Sequence, residues 1–174
     1  PIDRVPETLI KAVLAAEDVN FYRHSGVDFK AIARAILANL KLMRPTQGAS
    51  TISQQLIRSA LLTREKTLGR KIREMILTLE LERKYSKNQI LEFYLNQVPF
   101  GSNTYGAQAA SLTYFKKPVS ELSLGESAVL AAIIKAPSFL SPYGEHKEEL
   151  LQRKNNILDR MTEEGFTTED DGKK

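Results

Sequence analysis

Apolar residues recur at helical spacing in nearly every segment of the chain. In the first segment Ile10, Val13, Leu14 and Glu17 fall on one face, after a proline and an acid that suit a first helical turn. We expect this helix to end at Gly26, because glycine readily leaves the helical conformation. A carboxylate on the apolar face is the first departure from a simple core pattern.

Seven further helices are predicted from the same spacing. Three of them open on a capping box, at residues 51–54, 86–89 and 123–126. The segment 68–85 is apolar around most of its circumference, so we expect a central, buried helix there. No alternation typical of strands is present, and the chain is predicted to be an all-α domain with orthogonally packed helices around one core. The predicted helices cover residues 29–43, 51 onwards, 68–85, 86–96, 107–115, 123–136 and 146–164.

The amino-acid composition limits the kinds of functional site that the chain can form. The 174 residues suit one domain that buries a core without disulfides, and the chain has no cysteine. The chain has only two histidines, His24 and His146, which argues against a His-rich zinc site. The net charge of +4 favours anionic partners. No apolar run has the length of a transmembrane helix and no signal peptide is recognisable, so we interpret the chain as naturally short or cut from a longer protein.

Glu17 is the first candidate for chemistry. Its place on an apolar face directs it to the core or a cleft, where burial raises the pKa of a carboxyl towards general-base work near neutral pH. The alternative is an ion pair with Lys11 or Arg23 near the end of the helix. For the neighbouring Asp18, a cap or an ion pair is the stronger interpretation.

Glu74 is a second carboxylate in an apolar stripe, shared with Leu77 and Leu81. Two partly buried glutamates on different helices are typical of sugar chemistry at an anomeric centre. The alternative, which is favoured for Glu74 taken alone, is a buried carboxylate paired with Arg70 or Lys71 one turn back.

The stretch GASTISQQLIRS, residues 48–59, has the features of an anion site at a helix N-terminus. Gly48 permits close backbone approach, Ser50 and Thr51 can cap the helix, and Gln54 and Gln55 place two amides in its first turn. An ordinary capped helix with a polar face fits the same spacing.

Residues 58–73 carry six basic side chains against one acid, Glu65. Such a strip is usually a solvated face, but its position between the glutamine pair and Glu74 fits a bound phosphate or diphosphate. No helix-turn-helix or base-stacking pattern supports nucleic acid as the partner. The basic residues are Arg58, Arg64, Lys66, Arg70, Lys71 and Arg73.

The predicted helix 29–43 has more apolar residues than one core stripe requires, interspersed with Lys30, Arg34 and Lys41. A basic, apolar helix of this kind can lie in a membrane interface. Core packing is the commoner explanation of such a pattern.

Taken together and in their order along the chain, these sequence features resemble the motifs of a known family, the peptidoglycan glycosyltransferases (glycosyltransferase family 51). Five motifs follow one another between roughly residues 10 and 160. They are Glu17-Asp18-x-x-Phe21-x-x-His24-x-Gly26, Gly48-x-Ser50-Thr51-Ile52-x-Gln54-Gln55 with Arg58, Arg70-Lys71-Ile72-x-Glu74, Lys87-x-x-Ile90-Leu91-Glu92-x-Tyr94-Leu95-Asn96, and Gly106-Ala107-Gln108-Ala109-Ala110 leading to Tyr114-Phe115-x-Lys117.

The resemblance implies a mainly helical, lysozyme-like lobe with a small membrane-facing lobe at roughly residues 27–49. It also implies that Glu17 is the general base in the polymerisation of lipid II, with inversion and release of undecaprenyl diphosphate, and that Glu74 positions a basic side chain or helps to hold a divalent ion. His24 is expected to be structural rather than a proton shuttle. The implied substrate and diphosphate contacts are Ser50, Thr51, Gln54, Gln55, Arg58, Lys66, Arg70 and Lys71, and the implied supporting residues are Asp18, Phe21, His24, Gly26 and Asn96.

Partners and location follow from the same resemblance. The implied partners are lipid II, the lipid-linked glycan strand, the bacterial membrane surface and, in a full-length protein, a transpeptidase domain, but not nucleic acid. The implied location is the outer face of the cytoplasmic membrane. No organic cofactor is implied, and Mg²⁺ or Mn²⁺ near Glu74 and the diphosphate is used by some family members only. The family often has lysine in place of Arg58, and its usual N-terminal anchor is not part of this sequence.

Two other functions compete with this one. A lysozyme-like muramidase or lytic transglycosylase shares the fold and a catalytic glutamate, but a hydrolase has no diphosphate for the basic strip to stabilise. A helical module that docks on acidic lipid or nucleic acid explains the charge and the helix 29–43. It does not explain two glutamates on apolar faces.

Overall fold

The computed structural model describes residues 1–42, 50–61 and 67–168. Within these ranges the backbone forms α-helices, short 3-10 turns and loops, with one isolated bridge between Pro99 and Tyr105 and no strand. The prediction of an all-α chain is therefore confirmed. The helices are α1 (Glu7–Glu17), α2 (Phe29–Leu42), α3 (Ile52–Leu61), α4 (Leu68–Lys84), α5 (Lys87–Gln97), α6 (Ala107–Phe115), α7 (Leu124–Ile134) and α8 (Lys147–Glu163).

The three predicted capping boxes are all formed. In each box the first side-chain oxygen accepts from the backbone N–H three residues on, and the last side chain accepts from the backbone N–H of the first residue. Gly165, at a φ of 70°, follows the end of α8 as predicted. The boxes pair Thr51 with Gln54 before α3, Ser86 with Gln89 before α5, and Ser123 with Glu126 before α7.

The prediction that Gly26 ends the first helix is wrong. α1 ends at Glu17, because Asp18 leaves the helical conformation with φ −162° and ψ 76° while its N–H still bonds to the carbonyl of Leu14. A 3-10 turn, Phe21–Arg23, follows. Gly26, at a φ of 92°, lies in the turn that leads to α2.

The chain divides into two compact units: unit 1 comprises Pro1–Val19 and Glu92–Lys174, and unit 2 comprises Asn20–Leu91. In unit 1, α7 packs on α1, α6 and α8, and α1 also packs on α8. α7 is apolar on every side, and its residues from Ala128 to Ile134 are buried apart from Val129. This helix therefore forms the centre of the core of unit 1.

In unit 2, α3 packs on α4, but α4 is not the buried helix that the sequence predicted. Its buried positions are Glu74 and Thr78, whereas Leu68, Ile72 and Ile76 are exposed. The reason is that α4 is apolar on more than one side. The side with the two polar residues is the buried one, so the apolar residues of the other side are left at the surface.

α2 also exposes apolar side chains in unit 2. Among residues 29–38, whose side chains are described, Phe29, Ile36 and Leu37 are more than half exposed and Ala35 is buried, so core packing does not account for these three apolar side chains. The predicted membrane-facing lobe, residues 27–49, falls within unit 2, and its residues 43–49 lie outside the described part of the chain. In the part that is described, no helix is both long enough and apolar enough to cross a membrane.

Asp28 forms an N-terminal cap for α2 that the sequence analysis missed. Its Oδ1 accepts from the N–H of Ala31 at 2.9 Å, and its Oδ2 accepts from Asn20 Nδ2 at 3.0 Å. Burial by itself raises the pKa of this carboxyl, but these two hydrogen bonds and the charges of His24 and Arg34 together hold the pKa below its usual value. The cap therefore stabilises the start of α2 most at pH values at which Asp28 is ionised.

Candidate functional site

Glu17 lies at the C-terminal end of α1, with its side chain 10% exposed. Arg153 in α8 places Nη2 at 3.3 Å from Glu17 Oε1, and Lys11, one of the partners predicted for Glu17, pairs with Glu7 at 3.0 Å instead. The ion pair between Glu17 and Arg153 belongs to unit 1 and joins two helices of its core. Glu17 is thus a largely buried carboxylate held from a neighbouring helix.

Arg153 is a site residue that the sequence analysis missed. Its Nε also donates to the backbone carbonyl of Ala132 in α7 at 3.2 Å, so the guanidinium is fixed from two directions. The signal was present in the sequence, because Arg153 follows Leu150 by three residues and precedes Ile157 by four on the buried stripe of α8. A cation on the apolar face of α8 is thus the partner expected for a carboxylate on the apolar face of α1.

Glu74 is fully buried in unit 2, and both of its oxygens bind cations from the same helix. Arg70 Nη1 donates to Oε2 at 3.0 Å and Lys71 Nζ donates to Oε1 at 2.5 Å. The ion pairs proposed as the alternative for Glu74 are therefore formed. The Lys71 side chain is 41% exposed, so Glu74 fixes a cation that still reaches solvent.

The Glu74 carboxylate is already paired with two cations. Each oxygen accepts one hydrogen bond, from Arg70 or Lys71, and keeps a further lone pair, but the two neighbouring positive charges oppose the approach of a divalent ion. Over residues 1–42, 50–61 and 67–168, no group of three or more His, Cys, Asp or Glu is placed to hold a metal ion. A divalent ion near Glu74 and the substrate diphosphate stays a prediction.

The start of α3 in unit 2 is a tightly bonded turn. Thr51 Oγ1 donates to the carbonyl of Gly26 at 2.6 Å, and the amide oxygen of Gln54 closes the capping box. Gln54 is buried, so its oxygen serves the cap rather than pointing outwards. Gln55 is half-buried and Arg58 is exposed one turn on, while Ser50 precedes the cap in a half-buried position.

The first motif spans both units. Glu17 and the buried Asp18 belong to unit 1, whereas Phe21, His24 and Gly26 belong to unit 2. Phe21 is fully buried, and His24 Nδ1 accepts from the N–H of Gly26 at 3.1 Å. This bond is a local contact within the turn that leads to α2, and the structural role of His24 stays a prediction.

Other predicted residues lie elsewhere. Asn96 is exposed in unit 1, and its Nδ2 donates to the carbonyl of Glu92 in its own helix at 2.8 Å. Gly106, at a φ of 84°, packs on the backbone of Asn96, where a Cβ would lie 2.7 Å from the carbonyl oxygen. Lys66, Arg64 and Gly48 fall outside the described residues. Unit 2 thus brings together Arg70, Lys71 and Glu74, and it holds Gly26 against Thr51.

Unit 1 thus holds a carboxylate fixed by an arginine, and unit 2 holds a buried carboxylate paired with two cations. The profile of a protein family described as Transglycosylase matches residues 1–162, and the chain belongs to this family. The function predicted from the five motifs, a peptidoglycan glycosyltransferase domain, is the one that this family supports.

Proteins called penicillin-binding proteins are similar to this chain in sequence. The chain is 50% identical to penicillin-binding protein 1A of Aquifex aeolicus over 167 residues, which is 96% of this chain and 23% of that protein. It is 44% identical to penicillin-binding protein 1F of Bacillus subtilis over 165 residues, 95% of this chain and 23% of that protein. The chain therefore spans about a quarter of the length of these relatives.

A solved structure is also similar. The crystal structure of penicillin-binding protein 1A from Haemophilus influenzae aligns with 70% of this chain and 15% of its own, at 28% sequence identity and a TM-score of 0.48.

Proposed function

We propose that this domain polymerises lipid II into β-1,4-linked glycan strands, with Glu17 as the general base. The acceptor 4-hydroxyl oxygen forms a bond to the anomeric carbon of the lipid-linked donor strand from the opposite side of the leaving group, which inverts the configuration. Its proton passes to a Glu17 oxygen. The bond from the anomeric carbon to the diphosphate breaks, and its electron pair leaves on undecaprenyl diphosphate.

The position of Glu17 carries this proposal. An alcohol is a poor nucleophile at neutral pH, so it needs a base held at hydrogen-bonding distance. Glu17 ends α1 with its carboxylate largely buried, and Arg153 at 3.3 Å limits its rotation. Because Arg153 is itself tied to the carbonyl of Ala132, the carboxylate is held by a fixed group rather than by a mobile surface cation.

Cations of unit 2 support a role in stabilising the leaving diphosphate. Lys71 reaches solvent while Glu74 holds its ammonium, and Arg70 is held by the same carboxylate. Arg70 Nε is a buried donor with no hydrogen-bond partner among the described residues. A buried donor without a partner is costly, so a phosphate oxygen that reached it would satisfy an unmet hydrogen bond. No catalytic acid is needed, since the diphosphate leaves as an anion that these cations stabilise.

The exposed apolar side chains of unit 2 support a place at the membrane surface. Phe29, Ile36 and Leu37 of α2 and Ile72 and Ile76 of α4 are each more than half exposed. Apolar helices with basic neighbours bind at the boundary of headgroups and acyl chains. We propose that this unit rests on the outer face of the cytoplasmic membrane, where the lipid-linked substrates are anchored.

We also propose that the domain belongs to a longer protein with a transpeptidase domain. Support comes from the relatives, which are called penicillin-binding proteins and are about four times as long as this chain.

Incubation with lipid II in detergent, followed by separation of the products by length, tests the function. We expect long glycan strands from the wild-type chain and a rate about 10²- to 10⁴-fold lower for Glu17→Gln, as is typical when a general base is removed. The matched control is Glu7→Gln, which neutralises a glutamate of the same helix whose side chain is 78% exposed. This control keeps the wild-type rate.

Two results would contradict the proposal. Cleavage of preformed peptidoglycan without polymerisation identifies a muramidase or lytic transglycosylase. Binding to lipid that is the same for the wild type and Glu17→Gln, with no strands from either, identifies a docking module.

A further inference from the structure

Side chains from α3, from α4 and from the start of α5 meet within unit 2 at the carboxylate of Glu82, in the C-terminal half of α4. Glu82 Oε1 accepts a hydrogen bond from Ser53 Oγ of α3 at 2.5 Å and from Lys87 Nζ of α5 at 2.8 Å. The Glu82 side chain is 7% exposed and Ser53 is fully buried. Neither Glu82 nor Ser53 is among the site residues predicted from the sequence. The reaction proposed for this domain uses neither of these two side chains.

Charge makes the junction stronger than a neutral hydrogen bond. The Lys87 side chain is 20% exposed, and its Nζ lies 4.5 Å from the centroid of the Phe21 ring. Hydrogen bonds with an ionised partner are shorter and about twice as strong as neutral ones, and an ammonium over an aromatic face adds a further attraction. Glu82 therefore connects α3, α4, α5 and the Phe21–Arg23 turn at one carboxylate.

The element held by this junction is the first turn of α3. Ser53 lies in that turn, two residues after Thr51, whose Oγ1 donates to the carbonyl of Gly26. A Cβ on Gly26 would lie 3.0 Å from Glu82 Cγ, so the backbone at Gly26 also packs closely on Glu82. The turn is thus fixed by Glu82 through Ser53 and by Gly26 through Thr51.

We propose that Glu82 is a positioning residue for glycosyl transfer, which acts through Ser53 by holding the first turn of α3. This inference rests on the function proposed above. The turn carries Gln55 and is followed by exposed Arg58, which we assign to the leaving diphosphate. Glu82 itself does not touch the substrate. It fixes the backbone of the turn, and with it the direction in which Gln55 and Arg58 leave the helix.

A kinetic consequence separates positioning from simple stabilisation. Negative charge on the diphosphate grows as the anomeric bond breaks, so a displaced α3 turn loses more binding in the transition state than in the ground state. The effect of changing Glu82 therefore falls on kcat more than on KM. A purely structural residue lowers Tm and leaves kcat and KM of the folded protein unchanged.

Variants of the 174-residue chain test the inference. Glu82→Gln keeps an acceptor for Ser53 but loses the charge that holds Lys87, and Glu82→Ala loses both. The matched control is Glu80→Gln, at an exposed position of the same helix. The readouts are kcat, KM for lipid II, Tm, and amide hydrogen exchange at the first turn of α3. Hydrogen exchange reports local opening even where Tm is unchanged.

We expect kcat to fall about tenfold for Glu82→Gln and about a hundredfold for Glu82→Ala, since small misplacements have effects of this size. We expect KM to change less than threefold, and exchange at the α3 turn to become faster in both variants. Wild-type kcat and exchange in Glu82→Gln, or the same loss in Glu80→Gln, would overturn this inference alone. Absence of strands from the wild-type chain would overturn the proposed function and this inference together.

Discussion

Arg153 Nη2 lies 3.3 Å from Glu17 Oε1, although 136 residues separate the two in the chain. The same guanidinium donates through Nε to the carbonyl of Ala132 in α7. α7 therefore fixes the arginine of α8, and this arginine fixes the carboxylate of α1. All three helices belong to the packed core of unit 1, which gives the carboxylate a rigid support.

Substitution of Arg153 by lysine tests this support. Lysine is a point charge without the planar fork of arginine, so it cannot reach Glu17 and the carbonyl of Ala132 together in the same geometry. We expect Arg153→Lys to lower kcat about tenfold or more, with little change in KM for lipid II. Steady-state kinetics with lipid II measure both. Arg160→Lys, at an exposed position of the same helix, is the control, and an equal loss in that variant would contradict the role of Arg153.

Neutralisation of Glu74 tests whether this carboxylate holds Arg70 and Lys71 in place for the reaction. Glu74→Gln leaves Arg70 and Lys71 without their charged partner in a buried position, and we expect a large fall in polymerisation rate together with about 1–3 kcal/mol less free energy of unfolding. Urea unfolding measures the stability and the lipid II assay measures the rate.

The same variant addresses the metal. Because Arg70 and Lys71 already neutralise Glu74, we expect any stimulation by Mg²⁺ to have the same fold size in the wild type and in Glu74→Gln. A stimulation that disappears only in the variant would show that Glu74 binds the ion. A normal rate in Glu74→Gln would remove Glu74 from the proposed chemistry.

Gly26 is expected to tolerate no side chain. Its φ is 92°, and a Cβ would lie 2.8 Å from Thr78 Cγ2. We expect Gly26→Ala to lower the free energy of unfolding by about 1–3 kcal/mol, from backbone strain and the clash together. Gly69→Ala is the control, since a Cβ there meets nothing within 4 Å. Equal stability of the two variants in urea unfolding would contradict the close approach at Gly26.

The exposed apolar side chains of unit 2 predict binding to anionic vesicles. We expect Leu37→Glu and Ile72→Glu to lower the bound fraction in co-sedimentation with phosphatidylglycerol vesicles, because a carboxylate is repelled by the surface and removes apolar area. Leu151→Glu changes a leucine of unit 1 that is also about half exposed. This control retains binding, and a loss equal to that of the other two variants would argue against unit 2 as the membrane contact.

The cap formed by Asp28 predicts a pH dependence of stability. The pKa of this carboxyl is below its ordinary value of 3.8, so its contribution is complete above that value and is lost as pH falls through the lower, folded-state pKa. We expect Asp28→Asn to be less stable than the wild type near neutral pH by up to about 1 kcal/mol, the size of a charge effect at a helix N-terminus. The difference between the two proteins shrinks in acid.

Urea unfolding of the wild type and Asp28→Asn at about pH 7, 5 and 3 measures this difference directly. Asp159→Asn, at an exposed position of α8, is the control and is expected to follow the wild type. A difference between the wild type and Asp28→Asn that is constant across the three pH values would show that the charge of Asp28 is not involved.

Local signals in the sequence were sufficient to predict where three of the helices start and where α8 ends. The three capping boxes and the turn at Gly165 depend on residues within three or four positions of each other, and each one lies where it was predicted. The end of α1 was misplaced because a glycine is only one way to end a helix. Asp18 ends it eight residues earlier.

The sequence by itself determined the helical class, the two unusual carboxylates and the ion pairs of Glu74, since Arg70 and Lys71 lie within one turn of it. Only the tertiary structure decided which side of α4 is buried, which cation holds Glu17, and which carboxylate supports the start of α3. The apolar pattern of α4 fits burial of more than one side, and packing against α3 selects one of them. The contacts of Glu17 with Arg153 and of Glu82 with Ser53 join residues far apart in the chain, so no local period can reveal them.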